Sequence, residues 1–361
     1  MTVDRVESHF GPGQQLQIPQ MKSPYPGLSL DLVNVAGGPQ GSLLATWTDA
    51  VERREFVPLP RGQVTVSDRT RLHLEVVTQY APTGEISAQW EIWTDEAMLE
   101  YRVLTGRRLL GFARESVEGD NVLIFGADGT KIRSDRLNPG ITDVGILSND
   151  AILIAYDRYF EDDQGVVLGL AMYNPALERT DFGDGAGYLP STLTIVENDV
   201  TFWDRSSSLI ISSERGRPIW PDLSRLTFDH IEPEWVLHVR GTNRWALAEK
   251  SSSGSIVIVL GYVDSVHWTT AGVLVIRQPD RFAHQGTLAF CHTDTLNWCA
   301  GRQWYTMSLE EMFADFLAES EPVADSLASH PEKPSSSRRT ATQVRNAELD
   351  RVSISVCPRI I

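Results

Sequence analysis

The sequence predicts an all-β protein, and a β-propeller of five or six irregular blades is the architecture that its pattern favours. Short runs of about four to eight residues alternate apolar and polar side chains and follow one another closely, with turn signals between them. The strands expected from this pattern include 64–66, 86–94, 122–125 and 226–230. A strand ending in Trp-Thr-Asp also occurs twice, at 47–49 and 93–95, with an interval of 46 residues. A propeller blade takes about 40–50 residues. A double β-sandwich or a paired barrel is the alternative, because both produce the same strand pattern.

The chain is expected to form a single domain with short extensions. Residues 1–19 are rich in Gly, Pro and Gln and are interpreted as an irregular lead-in, and residues 20–318 as the all-β domain. Ser308 and Glu311 have the spacing of a capping box, and an apolar stripe follows them, which predicts a terminal helix over 308–318. Residues 319–361 contain too few apolar side chains to offset chain entropy and are expected to be largely disordered.

Composition and charge limit the partners that are expected. The net charge is -16 and no cluster of Lys and Arg stands out, so neither nucleic acid nor an anionic membrane is an expected partner. The first residues lack a basic segment followed by an apolar run, and only three cysteines are present. These features favour a cytoplasmic protein whose partner is a small-molecule substrate.

The Trp-Thr-Asp strands supply the first candidate site. If equivalent strands bring their ends to one rim of a channel, Asp49, Asp95 and Asp157 could act as general acids and bases. Aromatic residues of the same strands and their looser echoes would then form the walls of a substrate pocket: Trp47, Trp93, Tyr156, Trp203, Trp268 and Trp298. The structural alternative is that each Asp caps a turn and each aromatic ring belongs to the core.

The second candidate site lies between residues 264 and 304, where His and Cys are concentrated. His267, His292 and Asp294 are the candidate acid/base residues, because a carboxylate close to an imidazole can orient and charge it. The alternative is a polar turn in which Asp294 bonds to its own backbone. The spacing of Cys291, His292 and Cys299 does not meet the rules for zinc, and no dinucleotide fingerprint follows a strand, so neither a metal nor another cofactor is predicted.

One segment resembles a known motif. The run Ser212-Ser213-Glu214-Arg215-Gly216-Arg217-Pro218-Ile219-Trp220 is similar to a degenerate Asp box, the Ser-x-Asp-x-Gly-x-Thr-Trp turn of sialidase-type β-propellers. Glu214 and Pro218 depart from the pattern, and Ile219 is inserted before the Trp. Asp boxes are structural turns, so the resemblance implies a propeller fold and not sialidase activity, for which no arginine triad is found.

Three functions follow from these observations. The first is an enzyme that uses acid/base chemistry, without a redox cofactor, on a small and largely apolar metabolite, by cyclisation, isomerisation, dehydration or hydrolysis. The second is a carbohydrate enzyme of the glycoside hydrolase kind, which the Trp and Asp pairs favour. The third is a propeller scaffold that binds a protein partner through an exposed apolar patch.

Overall fold

The computed structural model shows a protein built almost entirely from β-strands. It describes the following residues, and the structural statements below concern these alone: 5–9, 14–18, 21–49, 72–95, 99–114, 119–161, 167–180, 188–196, 198–204, 209–213, 219, 235–238, 244–250, 256–264, 267–277, 288–292, 294–300 and 302–320. Within these ranges, no helix has the length and apolar character needed to cross a membrane.

Twenty-four strands and one α-helix lie within the described ranges. They are β1 (Arg5–His9), β2 (Gln14–Gln17), β3 (Asp31–Gly37), β4 (Leu43–Thr48), β5 (His73–Tyr80), β6 (Ile86–Thr94), β7 (Glu100–Leu104), β8 (Arg108–Phe112), β9 (Val122–Phe125), β10 (Lys131–Asp135), β11 (Ile141–Ile146), β12 (Ile152–Glu161), β13 (Val167–Tyr173), β14 (Arg179–Thr180), β15 (Pro190–Val196), β16 (Asp199–Asp204), β17 (Leu209–Ser212), β18 (Trp235–His238), β19 (Arg244–Lys250), β20 (Ile256–Asp264), β21 (His267–Arg277), β22 (Leu288–His292), β23 (Thr295–Ala300), β24 (Gln303–Ser308) and α1 (Leu309–Ser320).

The strands form six sheets, each made mainly of consecutive antiparallel strands. We number these sheets as blades in chain order: blade 1 is β3–β6, blade 2 is β7–β10, blade 3 is β11–β14, blade 4 is β15–β17, blade 5 is β18–β21 and blade 6 is β22–β24. Burial follows strand position within a blade. Every residue of the second strand β4 is buried, whereas the outer strand β6 alternates, with Ala88, Trp90 and Ile92 facing inwards.

The blades are arranged in a closed ring. The first strand of each blade contacts the first strand of the next, in the order β3, β7, β11, β15, β18 and β22, and β22 contacts β3 again. Six clusters of buried apolar side chains fill the interfaces between successive blades, including the interface between blades 6 and 1, where Trp304 packs with Trp47. This arrangement confirms the predicted β-propeller, with six blades in the described part of the chain.

The N-terminal strands complete the last two blades. β2 pairs antiparallel with β24 as the outer strand of blade 6, and β1 pairs in parallel with β21 at the outside of blade 5. The irregular lead-in expected over 1–19 is therefore corrected to two strands. The physical reason is that an outer strand gains its order by pairing with a distant segment, which a local pattern in a Gln- and Gly-rich stretch does not reveal.

The interval of 46 residues between the two Trp-Thr-Asp triplets is not the spacing of two blades. Trp47 lies on β4 and Trp93 lies on β6, and both strands belong to blade 1. An aromatic residue does recur on the second strands of blades 1 to 4, at Trp47, Phe112, Tyr156 and Trp203. The predicted propeller is confirmed, but the interval of 46 residues lies within one blade and does not support it.

The terminal helix begins as predicted. Ser308 donates from its backbone N–H to Glu311 Oε2 at 2.7 Å, and the Glu311 N–H donates to Ser308 Oγ at 3.2 Å. These reciprocal bonds form the capping box. Leu309, Met312 and Phe313 are buried in the cluster between blades 5 and 6, so α1 packs against the ring. The helix extends to Ser320, two residues beyond the predicted end.

Some predicted features lie outside the described residues. They are the expected strands at 64–66 and 226–230, most of the Asp-box-like segment 212–220, and the segment from residue 321 to the end of the tail expected over 319–361.

Candidate functional site

The ring has two faces, and strand direction assigns each loop to one of them. We define the upper face as the face at which the first strand of each blade begins, the second strand ends and the third strand begins. Contacts between blades agree with this assignment, since Gly140, at the start of blade 3, donates its N–H to the carbonyl of Arg114, which follows the second strand of blade 2. At the opposite, lower face, Ser148 and Asn198, in the first turns of blades 3 and 4, are hydrogen-bonded.

The site with the most unusual chemistry is a buried cluster at the upper end of the interface between blades 1 and 2. His73 Nε2 lies 3.1 Å from Glu75 Oε1, and the Tyr101 hydroxyl donates to Glu75 Oε2 at 2.5 Å. Glu75 has no exposed side-chain area, whereas the His73 side chain is 7% exposed. Tyr101 is 1% exposed. We call these three residues the His73–Glu75–Tyr101 chain.

Strand geometry explains how the His73–Glu75–Tyr101 chain forms. His73 and Glu75 are two residues apart on β5 and therefore project from the same side of the sheet, towards blade 2. Tyr101 lies on β7, the first strand of blade 2. Gly111 on β8 provides the space for its ring, because a Cβ atom there would lie 3.1 Å from Tyr101 Cε1.

The surroundings of the cluster change from apolar to polar towards the upper face. Val77 and Trp90 lie deeper in the same interface and belong to its apolar cluster. Thr48 and Thr94 are buried cross-strand neighbours of Glu75 and His73, respectively, so they project from the same side of blade 1. The Thr48 hydroxyl donates to the carbonyl of Leu74 at 3.0 Å.

Burial of Glu75 has a physical cost that the cluster offsets. Removing a carboxylate from water costs several kcal/mol, in order of magnitude, unless it is paired and hydrogen-bonded. Tyr101 and His73 each engage one carboxylate oxygen. A carboxylate held in this way fixes the orientation of the imidazole, which is an arrangement that a general acid or base uses.

The carboxylates predicted from the Trp-Thr-Asp strands lie on the upper face but on separate strands: Asp49 and Asp95 follow the ends of β4 and β6, and Asp157 lies within β12. Asp49 Oδ1 accepts the backbone N–H of Leu74 at 3.0 Å, and Asp95 is exposed after β6. Asp157 lies in blade 3 and accepts from Arg158 Nε at 2.7 Å. Asp204, the equivalent in blade 4, is buried and accepts the Leu189 N–H at 2.7 Å. Asp49 and Asp204 thus bond to strand starts in their own blades, as the structural alternative expected.

The second predicted group lies on the lower face. His267 is exposed at the start of β21, and His292 ends β22. Asp294 follows in the turn to β23 and accepts from the Thr295 hydroxyl at 3.2 Å, while its carbonyl accepts the N–H of Leu309. The structure therefore separates His267, His292 and Asp294 from Asp49, Asp95 and Asp157, which are on the opposite face.

The six predicted aromatic residues differ in exposure. Trp93 is the exposed member, at 46%, and contacts Tyr25 with ring centroids 5.6 Å apart. The remaining five are buried between blades: Trp47, Tyr156, Trp203, Trp268 and Trp298. Trp298, for example, stacks on Tyr305 with centroids 5.3 Å apart. These five rings have the environment of core residues, whereas Trp93 can meet a ligand.

Sequence reasoning missed the His73–Glu75–Tyr101 chain, although one signal for it was present. In His73-Leu74-Glu75-Val76-Val77, a carboxylate lies inside a strand that is otherwise apolar. A buried carboxylate needs a partner, and His73 is the nearest candidate on the same strand side. Tyr101 gave no local signal, because its partner lies 26 residues away on another blade.

The described residues contain no group of three or more His, Cys, Asp and Glu side chains arranged to hold a metal ion.

Comparison with known proteins identifies no family. No protein-family model matches the chain, and no curated protein matches it. Similar solved structures include a catalytically inactive variant of virginiamycin B lyase from Staphylococcus aureus with quinupristin, at 8% identity and a TM-score of 0.43, covering 82% of this chain and 98% of that one.

Two further structures are similar at the same level. A putative gluconolactonase is 9% identical with a TM-score of 0.35, covering 83% of this chain and 93% of that one. A putative 6-phosphogluconolactonase from Bacteroides uniformis is 12% identical with a TM-score of 0.34, covering 73% of this chain and 76% of that one. The propeller assignment above rests on strand topology, and these likenesses carry no functional argument.

Proposed function

We propose that the protein is an enzyme of the hydrolase or lyase type that uses acid/base chemistry at the upper end of the interface between blades 1 and 2. The observation that carries the proposal is the hydrogen-bonded His73–Glu75–Tyr101 chain. Structural packing alone would not need a His and a Glu at adjacent inward positions of an apolar strand, because apolar residues of similar volume stabilise an interior at least as well.

Each residue of the His73–Glu75–Tyr101 chain has a distinct role in the proposed reaction. His73, at the first position of β5 and closest to the upper face, accepts a proton from the substrate or from a water molecule. Glu75 orients the imidazole and stabilises the imidazolium that forms. Tyr101 holds Glu75 in place through the bond of 2.5 Å and acts as a positioning residue.

The same first step serves both reaction types. In hydrolysis, His73 removes a proton from water, and the resulting nucleophile attacks an ester or lactone carbonyl. In elimination, His73 removes a proton from a carbon next to a carbonyl, the electron pair forms a double bond, and the leaving group departs with its bonding electrons. In both cases the imidazolium returns its proton to the product or to the leaving group.

A substrate panel tests the proposal. Purified full-length protein would be incubated with p-nitrophenyl acetate, with δ-valerolactone and with a β-acetoxy ketone, and release of p-nitrophenol, of acid and of enone would be followed. We expect turnover of at least one class above a heat-denatured sample, with loss in a His73→Gln variant. Equal turnover in the wild type and in His73→Gln would overturn the assignment of the site.

A matched variant separates loss of chemistry from loss of structure. Glu85→Gln changes an exposed carboxylate of the same blade and should leave turnover unchanged. Far-UV circular dichroism and urea midpoints would be compared for His73→Gln, Glu85→Gln and the wild type. A His73→Gln variant that is folded and inactive supports the proposal.

A further inference from the structure

Two exposed aromatic residues, Tyr25 and Trp93, lie outside the His73–Glu75–Tyr101 chain. We call this pair the aromatic corner. Trp93 and Tyr25 are 46% and 40% exposed, although both are large and mostly apolar. Their ring planes meet at 66° with centroids 5.6 Å apart, so the two rings form an edge-to-face pair. Single exposed apolar residues are common on protein surfaces, whereas contiguous exposed apolar area marks an interaction site.

Carboxylates flank the aromatic corner. Glu91 and Trp93 are at alternate positions on β6, so their side chains project from the same side of blade 1, and Asp95 lies two residues beyond Trp93, just after the strand. The Tyr25 hydroxyl lies within 3.4 Å of Glu91 Oε2, which ties the carboxylate to the ring pair. Asp95 is exposed. The corner therefore combines π faces with two negatively charged side chains.

This combination selects for cations. The face of an indole or phenol ring attracts an ammonium or guanidinium group, and the attraction is worth about 0.5–1 kcal/mol at exposed sites. Neighbouring carboxylates add a direct electrostatic attraction. The net charge of -16 raises the local concentration of cationic partners around the whole protein.

We propose that Tyr25, Glu91, Trp93 and Asp95 bind a lysine or arginine side chain of a basic polypeptide segment. The exposure of the corner favours a polypeptide over a free small molecule, because small-molecule sites bury about 70–90% of their ligand. Two rings that each keep about half of their surface in contact with solvent cannot enclose a free ligand to that extent. They can instead form one contact of a larger interface, in which the remaining area is supplied by the partner.

The shape of the corner defines how the side chain would lie. The aliphatic stem of a lysine or arginine would pack on Trp93, and its charged end would approach Glu91 or Asp95. The backbone of the partner would run along the outer edge of blade 1, since β6 is the last strand of that sheet.

Binding of a defined peptide tests the proposal. A fluorescein-labelled heptapeptide of alternating lysine and glycine would be titrated with the full chain, and its Kd measured by fluorescence anisotropy. Three competitors would be used. They are choline, maltohexaose and a version of the same peptide with norleucine in place of lysine. We expect Trp93→Leu and Glu91→Gln each to weaken peptide binding about fivefold.

Two matched variants control for hydrophobic and for general electrostatic effects. Ile86→Ala changes an apolar residue of the same strand that is 51% exposed, and Glu85→Gln removes one exposed charge in the same blade. Neither should change the Kd by more than about twofold. Urea midpoints of all variants would establish that the exposed substitutions leave the fold intact.

Several outcomes would overturn the proposal. Equal Kd values for Trp93→Leu and Ile86→Ala would show that the Trp93 ring does not contact the peptide. Equal Kd values for Glu85→Gln and Glu91→Gln would show that binding depends only on the overall charge of the protein. Competition by the norleucine peptide would show a hydrophobic site. Competition by choline or maltohexaose as strong as that of the unlabelled lysine peptide would assign the corner to a small molecule or a sugar.

Discussion

The hydroxyl of Tyr101 donates to Glu75 Oε2 at 2.5 Å and thereby joins the first strand of blade 2 to the third strand of blade 1. Polar bonds of this kind continue around the ring. Arg102, the next residue on β7, donates from Nη2 to Asp143 Oδ1 of blade 3 at 2.8 Å, and the Leu193 N–H of blade 4 donates to Asp143 Oδ2. Four successive blades are thus joined by buried or half-buried polar contacts next to their apolar interfaces.

Removing the Tyr101 hydroxyl should destabilise the fold. Tyr101→Phe removes a hydrogen-bond donor to the fully buried Glu75 carboxylate, and a hydrogen bond to a charged group contributes about 1.5–3 kcal/mol. The free energy of unfolding in urea, measured at neutral pH, should fall by that amount. Tyr25→Phe is the control, because its hydroxyl is exposed and its bond to Glu91 is long. An unchanged urea midpoint in Tyr101→Phe would contradict the importance of this contact.

Asp150 should be a stabilising contact between blades 2 and 3. It is 5% exposed, and its carboxylate accepts from the Thr105 N–H at 2.8 Å, from the Thr105 hydroxyl at 2.5 Å and from Arg108 Nη2 at 2.7 Å. Hydrogen bonds to charged groups contribute about 1.5–3 kcal/mol. Asp150→Ala should lower the free energy of unfolding by at least this amount in chemical denaturation.

A second substitution at position 150 separates the side-chain bonds from backbone strain. Asp150 has a φ of 65°, a conformation that Asn adopts readily and Ala does not. Asp150→Asn keeps one acceptor and the backbone preference, so it should retain more stability than Asp150→Ala. Equal losses for both variants would mean that the charge, and not the backbone, accounts for the effect.

The buried pair Tyr156 and Tyr173 should make the fold sensitive to alkali. Burial, together with the neighbouring Tyr173 hydroxyl at 3.4 Å, raises the pKa of Tyr156 well above its usual range. An unfolded tyrosine has a pKa of about 10. Above that pH the unfolded protein loses a proton that the folded protein keeps, so the free energy of unfolding falls as the pH rises. Below that pH these tyrosines do not change the free energy of unfolding.

Urea unfolding at pH 8 and at pH 10.5 measures this effect. Tyr156→Phe removes one of the two titrating groups, so its loss of stability between these pH values should be smaller than that of the wild type. Tyr159→Phe, at a residue 39% exposed, should behave like the wild type. An identical alkaline loss in Tyr156→Phe and the wild type would contradict the raised pKa as the cause.

The capping box at Ser308 should contribute to the attachment of α1. Ser308→Ala removes the oxygen that accepts the Glu311 N–H, and loss of such a cap costs about 0.5–2 kcal/mol. Thermal unfolding followed by circular dichroism would report the change in stability. Glu310→Gln alters an exposed residue of the same first turn and should have a smaller effect. A stability loss that is no larger in Ser308→Ala than in Glu310→Gln would indicate that the cap is dispensable.

The sequence predicted local elements better than long-range ones. β6 and β9 have the predicted bounds, 86–94 and 122–125, because a clear alternation or a continuous apolar run marks them. Strands β10 and β24 were not predicted, since Lys131–Asp135 and Gln303–Ser308 contain polar residues that are ordered by pairing with neighbours. β1 and β2 were missed because their partners lie at the other end of the chain.

The candidate site was less predictable than the fold. A Trp-Thr-Asp triplet is conspicuous in the sequence, but Asp49 bonds to the start of β5 and Trp47 is fully buried, which are structural roles. The His73–Glu75–Tyr101 chain depends on the pairing of two blades, and no local pattern specifies which blades meet. Trp93, which the sequence proposed for ligand binding, is the member of that set that the fold leaves exposed.

The most direct test of the proposed function compares His73→Gln and Glu75→Gln with Glu85→Gln on the best substrate of the ester, lactone and elimination panel. Loss of a positioned general base lowers kcat by about 10²–10⁴. We predict that His73→Gln and Glu75→Gln both show such a loss while remaining folded, and that Glu85→Gln keeps the wild-type kcat. A folded His73→Gln variant with wild-type kcat would contradict the proposal that this buried chain is the site of catalysis.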